Sequence, residues 1–494
     1  MSAGMCSKAA VGRAAGRRLR QGLARLGPAL ALAQCLTGLS PTAGAAELPP
    51  EVRSALQRAR VPETALAVVV QEAGSGHTVL SHQARQPVNP ASLVKLVTTY
   101  AALDLLGPAW TWTTAVGWNA TLRDGVLDGD LFLKGGGDPK LVAERLWQGL
   151  RRLQQAGVRE IRGDIVLDRS AFAPSEGSAA DFDGDASRPH NVQPDALLIN
   201  FHALTWSVTP DGARAVARIT ADAEPLGAAV RTVPLTGGPC EDWRAGLKPV
   251  VTDGTVRFTG SYPAACGEQS WPIADPDAAG HGARLIASQW KDLGGTLTGR
   301  VRDGRWPAGL RAQQEWRSPP LAEVVRDVNK FSNNVMAQQL FLTLAAQRLP
   351  GQPATPEAAR ETLRRWVAER MGEGAAGELV LDNGSGLSRQ TRVTAQWLAR
   401  LLQQAWSSPV MPELMSSLPV NGLDGTLRRS RAPAGRAHLK TGSLRDVVGL
   451  AGYVLDDSGR RRVLVAMIQH PNAQAARPAL EALVQWALKT APGR

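Results

Sequence analysis

Three polar sets in this 494-residue chain combine residue types and spacings that could carry out acyl transfer: Ser92 with Lys95, Ser332 with Asn334, and Lys440 followed by Thr441, Gly442 and Ser443. A serine hydroxyl is a poor nucleophile until a neighbouring base takes its proton. Lys95 follows Ser92 by three residues, which on a helix places the two side chains on one face about one turn apart. Burial strips the lysine ammonium of hydration and lowers its pKa toward that of a proton acceptor. Pro90 fixes the approach to Ser92, which then lies at a helix start, where unpaired N–H groups and the positive end of the dipole favour developing negative charge. The spacing alone is weak, because a helix-capping serine and a lysine reaching to solvent share it. Ser288 and Lys291 repeat it inside a polar, amphipathic stretch over 283–293 with no helix start beside the serine, and that context sets them aside.

The flanking elements say more. Residues 93, 94, 96, 97, 100, 101, 103, 105 and 106 are apolar and cover nearly every side of a helix, which predicts that the Ser92 segment is buried. Before it, a short helix over 50–60 leads to strands over 65–71 and 78–81 joined by Ala73-Gly74-Ser75-Gly76, a hairpin pattern. From 116 to 321 the texture changes to short strands and turns with helices over 141–156 and 283–293, as in an insertion that interrupts a larger unit. Gly135-Gly136-Gly137 reads as a turn, since no Gly-Lys-Ser/Thr follows to make a phosphate loop. Core-type helices return over 321–330, 335–345, 356–371 and 394–406, with Ser332-Asn333-Asn334 between the first two and a glycine-rich loop at 382–389. Strands over 437–443, 447–455 and 462–469 and a helix over 478–489 close the chain. Two strands from the front and three from the back predict a mixed α/β (α+β) domain assembled from both ends.

Composition bounds the class. With 44% hydrophobic and 20% charged residues the chain is globular and long enough for two or three domains. No apolar run reaches ~18 residues, the length of a spanning helix. Residues 1–46 read as a cleaved export signal, with Lys8, Arg13, Arg17, Arg18, Arg20 and Arg25, a short apolar stretch over 28–36, and small residues ending at Ala45 and Ala46. A basic cytosolic tail is the alternative. Removing the six positive residues takes the formal charge from +12 to 12 − 6 = +6. A mildly basic periplasmic protein suits an anionic cell-wall polymer, and peripheral membrane contact stays open. No arginine-rich run or aromatic stacking motif argues for nucleic acid. Cys240 and Cys266 remain after the signal and, in an oxidising compartment, predict one disulfide. No Cys-x-x-Cys or His-Glu-x-x-His calls for a metal, no cofactor is indicated, and no Gly-x-Ser-x-Gly elbow offers a rival nucleophile.

Taken together and in this order, Ser92-x-x-Lys95, Ser332-x-Asn334 and Lys440-Thr441-Gly442 resemble the serine β-lactamase and penicillin-binding-protein superfamily. Within it the chain is similar to the penicillin-binding protein 4 type, the D-alanyl-D-alanine carboxypeptidase/endopeptidases of the cell wall. The gap of 332 − 95 = 237 positions, the stretches Gly129-Asp130-Leu131 and Gly136-Gly137-Asp138-Pro139, and Asp382-Asn383-Gly384-Ser385-Gly386-Leu387-Ser388-Arg389 carry that likeness. The resemblance implies a transpeptidase-like domain over 47–115 and 321–494 with a five-stranded antiparallel sheet. An inserted domain over 116–203 and 275–320 and a nested β-rich domain over 204–274 would interrupt it.

It also implies that Ser92 attacks the carbonyl between two terminal D-alanines, with Lys95 as base, giving an acyl-enzyme that water hydrolyses. Ser332 would relay a proton to the leaving amine, and Asn334 would hold Lys95 or donate to the substrate backbone. Lys440 would help keep Lys95 neutral and attract the terminal carboxylate, which Thr441 and Ser443 bind. Gly442 would leave the strand edge open to substrate, and the N–H groups of Ser92 and Ser443 would form the oxyanion hole. The resemblance places Arg389, after the glycine-rich loop, near the site, and an acid of the insertion, matched by position to Asp185 with Asp181 and Asp183 in competition, would meet the amino group of a diaminopimelate side chain. Peptidoglycan stem peptides would be the substrate and β-lactams acylating inhibitors. A β-lactamase or esterase using the same residues, and a wall-binding scaffold with a decayed site, are the rival readings.

Overall fold

Two strands near the start of the chain and three near its end meet in one sheet. The computed structural model describes residues 47–222, 231–252 and 255–489, and the segment read as an export signal lies outside them. Leu66–Glu72 (β1) and Thr78–His82 (β2) form the front hairpin, and Ala437–Leu444 (β3), Val447–Leu455 (β4) and Arg461–Gln469 (β5) the rear meander. The order is β3-β4-β5-β1-β2, with every neighbouring pair antiparallel. β1 pairs β5 from Leu66↔Ile468 to Glu72↔Arg462, so the sheet closes only when the two ends of the chain have met, a slow, non-local step.

Helices cover both faces, which is why these strands are apolar on both sides rather than alternating. Leu66, Val68 and Val70 of β1 pack under the helices Pro50–Arg58 and Arg477–Lys489 through Val52, Leu56, Leu483 and Val484. Ala67 and Val69 face the other way, under Lys95–Leu106 (α1), Leu321–Lys330 (α2), Asn334–Arg348 (α3) and the helices Pro356–Met371 and Ala395–Trp406. Each fully buried Leu or Val there contributes roughly 1.5–3 kcal/mol. α1 buries every residue from Lys95 to Leu103, as its all-round apolar sequence requires, and Lys95, Thr98 and Thr99 are its polar exceptions.

The chain between α1 and α2 builds its own sheets. One joins Thr113–Trp118, Leu131–Lys134, Ile165–Asp168, Val301–Asp303 and Gln314–Arg317; another joins Ala203–Asp211, Val216–Ala221, Arg231–Thr236, Tyr262–Pro263 and Gln269–Ala274. Cys240 and Cys266 are bonded to each other. The helix expected over 283–293 begins at Ala278, because Asp277 accepts a hydrogen bond from the Gly280 N–H and caps it. Ser288 is therefore mid-helix, and its Oγ has no hydrogen-bond partner among the described residues. No helix among the described residues is long and apolar enough to cross a membrane.

Candidate active site

The approach to α1 is held in a conformation that side chains avoid. Ala91 adopts φ +47°, in the left-handed region rarely taken by residues with a Cβ. Asn89 stabilises it: its Oδ1 accepts from the Ala91 N–H at 2.8 Å and its Nδ2 donates to the Ser388 carbonyl at 2.8 Å. A 3₁₀ turn over Ala91–Val94 then presents Ser92, and Lys95 opens α1. Lys95 is wholly buried. Its Nζ lies 3.0 Å from Ser92 Oγ and 2.7 Å from Asn334 Oδ1, and it also donates to the Ser385 carbonyl.

Counting protons on this amine settles its chemistry. Burial, and secondarily the positive charge of Lys440, hold Lys95 well below the ordinary lysine pKa. A neutral amine has two protons and one lone pair. Asn334 Oδ1 and the Ser385 carbonyl can only accept, so in the neutral form they would take the two protons and leave the lone pair to the Ser92 hydroxyl. Asn334 cannot turn its amide round without loss, because its Nδ2 donates to the His190 carbonyl at 3.1 Å.

Ser332 and Lys440 approach from the opposite side. Ser332, between α2 and α3, also adopts a left-handed φ of +56°. Asn333 caps α3 by accepting from the Met336 N–H at 3.1 Å, and Lys330 is paired with Asp424 at 2.6 Å, so the turn is fixed at both ends. Such strained residues persist only where their surroundings over-determine them. Lys440, wholly buried on β3, donates to Ser332 Oγ at 2.8 Å and to the Thr441 carbonyl at 2.7 Å. Burial pushes its pKa down to about 7. Thr441 Oγ1 lies 2.7 Å from Thr426 Oγ1. Ser443 Oγ accepts from Arg477 at 2.9 Å and from Gln474 at 3.2 Å.

Two glycines let these segments close on Ser92. A Cβ on Gly442 would stand 2.7 Å from the Pro90 carbonyl and 3.1 Å from the Leu93 side chain. The serine turn thus packs into the space this glycine leaves on one side of β3, which lies at the edge of its sheet. Gly386, at φ +81°, would place a Cβ 2.0 Å from the Ala91 carbonyl and 3.0 Å from the Ser92 nitrogen, so the 382–389 loop braces the turn from the other side. Ser92, Lys95 and Asn334 accordingly form one hydrogen-bonded group and Ser332 and Lys440 another, with the Lys440 charge acting on Lys95.

Arg389 lies further along that loop, its guanidinium over the Phe182 ring at 4.9 Å and within 3.3 Å of the Phe182 carbonyl. It borders a cavity of about 600 Å³ together with Asp181, Asn191, Arg360, Asp382 and Ser388. Asp185 does not line this cavity: hydrogen bonds from Ser187 and Arg188 hold its carboxylate and keep its pKa below the usual range. Asp183 is held by Arg188 and Asn191, each at 2.7 Å. Of the three acids, Asp181 faces the space beside Arg389. Sequence reasoning missed Asn89, Ser385, His190 and Thr426. Asn89-Pro90 was readable as a turn signal, whereas the Ser385 and His190 contributions are backbone carbonyls, which no residue type announces.

The chain matches the model of the D-Ala-D-Ala carboxypeptidase 3 (S13) family over residues 48–490. It is 30% identical over 444 residues to a D-alanyl-D-alanine carboxypeptidase of Actinomadura sp. (strain R39), covering 84% of this chain and 79% of that protein. It is 26% identical over 397 residues to the D-alanyl-D-alanine carboxypeptidase DacB of Haemophilus influenzae, covering 76% of this chain and 80% of that protein. The crystal structure of penicillin binding protein 4 (dacB) from Haemophilus influenzae superposes with a TM-score of 0.69 at 23% identity, over 88% of this chain and 99% of that one, a likeness of fold. The same protein has been solved complexed with a β-lactam.

Proposed function

Because this chain belongs to the D-Ala-D-Ala carboxypeptidase 3 (S13) family and is a serine-type carboxypeptidase, we propose that it is an exported, periplasmic DD-peptidase that cuts peptidoglycan stem peptides through a Ser92 acyl-enzyme. The observation that carries this reading is the buried Lys95 Nζ, 3.0 Å from Ser92 Oγ and bonded on its other sides to two groups that can only accept. Ser92 Oγ attacks the carbonyl carbon of the penultimate D-alanine while its proton passes to Lys95 Nζ. The N–H groups of Ser92 and Ser443 receive the oxyanion, at on the order of 3–4 kcal/mol of barrier per donor. Ser332 Oγ accepts from Lys440, so its own proton is available for the leaving amine as the C–N bond breaks. The proton that Lys95 took from Ser92 passes on to Ser332 and restores both groups; water then hydrolyses the ester, giving a proton to Lys95, which returns it to Ser92 Oγ as the ester bond breaks. Thr441, Ser443 and the charge of Lys440 meet the terminal carboxylate.

The cavity beside Arg389 takes the side chain of the preceding diamino-acid residue, with Arg389 for its carboxylate and Asp181 in place of the expected Asp185 for its amine. A β-lactam presents an equivalent carbonyl and acylates Ser92, a reading supported by the β-lactam complex of the Haemophilus relative. The division into a catalytic domain over 47–115 and 321–494, an inserted domain over 116–203 and 275–320, and a nested one over 204–274 is part of the same proposal. Mass spectrometry after incubation with penicillin tests it. A long-lived adduct on Ser92, with D-alanine released from stem peptides, is expected. Rapid penicillin turnover would instead indicate a β-lactamase, and no adduct a wall-binding scaffold.

A further inference from the structure

Ser92 and Lys95 sit at the start of α1, whereas Ser332 follows the end of α2, and the proposed proton path runs from Lys95 to Ser332. The gap that proton crosses is set by how the two helices are joined. Within the apolar core they share lies a polar contact. Asn329, wholly buried in the last turn of α2, donates from Nδ2 to Thr99 Oγ1 of α1 at 3.2 Å and to Ser417 Oγ of the helix Met411–Ser417 at 2.9 Å. Thr99 lies one turn after Lys95 and donates to the Lys95 carbonyl at 2.6 Å. A continuous hydrogen-bonded line thus runs from the backbone of Lys95 to the residue three before Ser332.

The protons of this contact assign its direction. Thr99 gives its hydroxyl proton to the Lys95 carbonyl, and Ser417 gives its own to the Leu414 carbonyl at 2.6 Å. Both oxygens are left able only to accept, and the two amide protons of Asn329 are what they accept. The amide is therefore fixed with its nitrogen toward the hydroxyls. Its Oδ1 is buried without a hydrogen-bond partner among the described residues, which costs stability. A leucine of similar volume would join two apolar helices without that cost, so cementing α1 to α2 does not account for an asparagine here. The chain from Asn329 to Ser332 is also held. Lys330 is paired with Asp424 at 2.6 Å, the Phe331 N–H donates to the Asp327 carbonyl at 3.2 Å, and a Cβ on Gly425 would stand 2.5 Å from the Lys330 carbonyl. A shift at Asn329 is therefore passed on to Ser332 rather than absorbed between them.

We propose that Asn329 is a positioning residue for acyl transfer: acting through Thr99, it fixes the Ser332 hydroxyl at the distance from Lys95 at which a proton can pass to the leaving amine. The inference rests on the proposed role of Ser332. In that step the C–N bond breaks as its nitrogen takes the Ser332 proton, and the proton that Lys95 took from Ser92 replaces it. A leaving group that departs as a stable anion does not need this proton. Misplacing Ser332 therefore slows amide substrates selectively, whereas general damage to the site slows every substrate alike.

Acylation rates are compared for the parent enzyme, Asn329→Leu, Thr99→Val, Ser417→Ala and Ser332→Ala on a peptide ending in D-Ala-D-Ala and on a thioester of the same acyl group, whose thiolate leaves unprotonated. Asn329→Leu should slow the peptide on the order of tenfold or more and the thioester markedly less. Thr99→Val should show the same selectivity, and the double variant should be little slower than Asn329→Leu alone, because the two act as a unit. Ser417→Ala removes the partner directed away from Lys95 and should keep both rates. An Asn329→Leu variant that keeps the peptide rate, or that slows both substrates equally, would overturn the proposal, as would losses at Thr99 and Asn329 that simply multiply. Should Asn329→Leu not fold, Thr99→Val decides on the same terms. Ser332→Ala should also slow the peptide more than the thioester; equal losses there would overturn the role of Ser332 itself, a separate failure from that of Asn329.

Discussion

Replacing Lys440 by methionine tests the electrostatics of the site on two independent readouts. Burial holds the Lys440 amine at about 7 instead of its ordinary 10.5. Between those values the unfolded chain binds a proton that the folded chain does not, so this residue lowers folding stability progressively as pH falls from ~10.5 to ~7. The gap of 10.5 − 7 = 3.5 corresponds to roughly 5 kcal/mol at ~1.36 kcal/mol per unit, fully expressed below pH ~7 and absent above pH ~10.5. Methionine removes the charge at similar volume but forfeits hydrogen bonds to Ser332 Oγ and the Thr441 carbonyl, each worth about 1 kcal/mol net. Lys440→Met should therefore be more stable than the parent by roughly 2–3 kcal/mol near pH 6, with the advantage gone by pH ~9 and reversed above it. Its catalysis should suffer in a specific way. Without the neighbouring cation, Lys95 loses one of the two influences that depress its pKa, so the acid limb of the acylation rate moves to higher pH. Urea unfolding at pH 6, 7.5 and 9, with penicillin acylation across the same range, measures both. A variant less stable than the parent at pH 6, with an unmoved acid limb, would refute the argument that Lys440 is buried at an electrostatic cost in order to tune Lys95.

Gly386→Ala should slow penicillin acylation more than tenfold, because its Cβ would enter the Ala91 carbonyl; Gly351→Ala, with a similar φ of +84° but open space around it, should lose only the backbone strain of about 1–3 kcal/mol and keep its rate. Cys240→Ser/Cys266→Ser opens a link spanning 26 positions and should cost about 3–4 kcal/mol of stability in the chain-entropy estimate, seen as earlier denaturant unfolding of that region with acylation by penicillin unchanged. His202 is buried with its pKa pushed down to about 4, chiefly by burial; the unfolded histidine protonates near 6.5, so it costs stability as pH falls from ~6.5 to ~4, by roughly 3 kcal/mol in total. The difference between parent and His202→Gln in urea unfolding at pH 7.5, 5.5 and 4.5 should reveal that slope, and parallel curves would disprove it.

What the sequence disclosed follows the physics of each signal. The all-round apolar pattern after Ser92 identified a buried helix because only burial explains such a pattern, and α1 is buried from Lys95 to Leu103. The helix Pro356–Met371 and the strand Val447–Leu455 were bounded correctly, one by a Thr-Pro start and the other by turn residues after it. Gln269–Ala274 escaped notice because Pro272 argues against a strand; it lies at the edge of its sheet, where a missing N–H is tolerated. The 3₁₀ turn carrying Ser92 and the left-handed Ala91 and Ser332 were illegible, since neither alanine nor serine favours that region and only tertiary contacts impose it. Asp185 illustrates the converse. A match by position cannot tell which of three nearby acids faces the cavity beside Arg389, and the hydrogen bonds of Ser187, Arg188 and Asn191 hold Asp185 and Asp183 away from it only in three dimensions.

The chain between α1 and α2 also reaches the proposed base. Asn334 fixes the protonation pattern of Lys95 only while its oxygen faces the amine, and what sets that direction is a carbonyl of His190, from the segment inserted between the two halves of the catalytic sheet. His190 lies in a loop where Asn191 donates to Asp183 and to the Asp185 carbonyl, and the same loop region supplies Asp181 and Phe182 to the cavity beside Arg389. A ligand seated in that cavity therefore touches the segment that orients Asn334. On the proposed reading, binding energy gained at the substrate side chain would help hold Lys95 aimed at Ser92, which is the form in which remote binding raises the rate of a chemical step rather than merely tightening the complex.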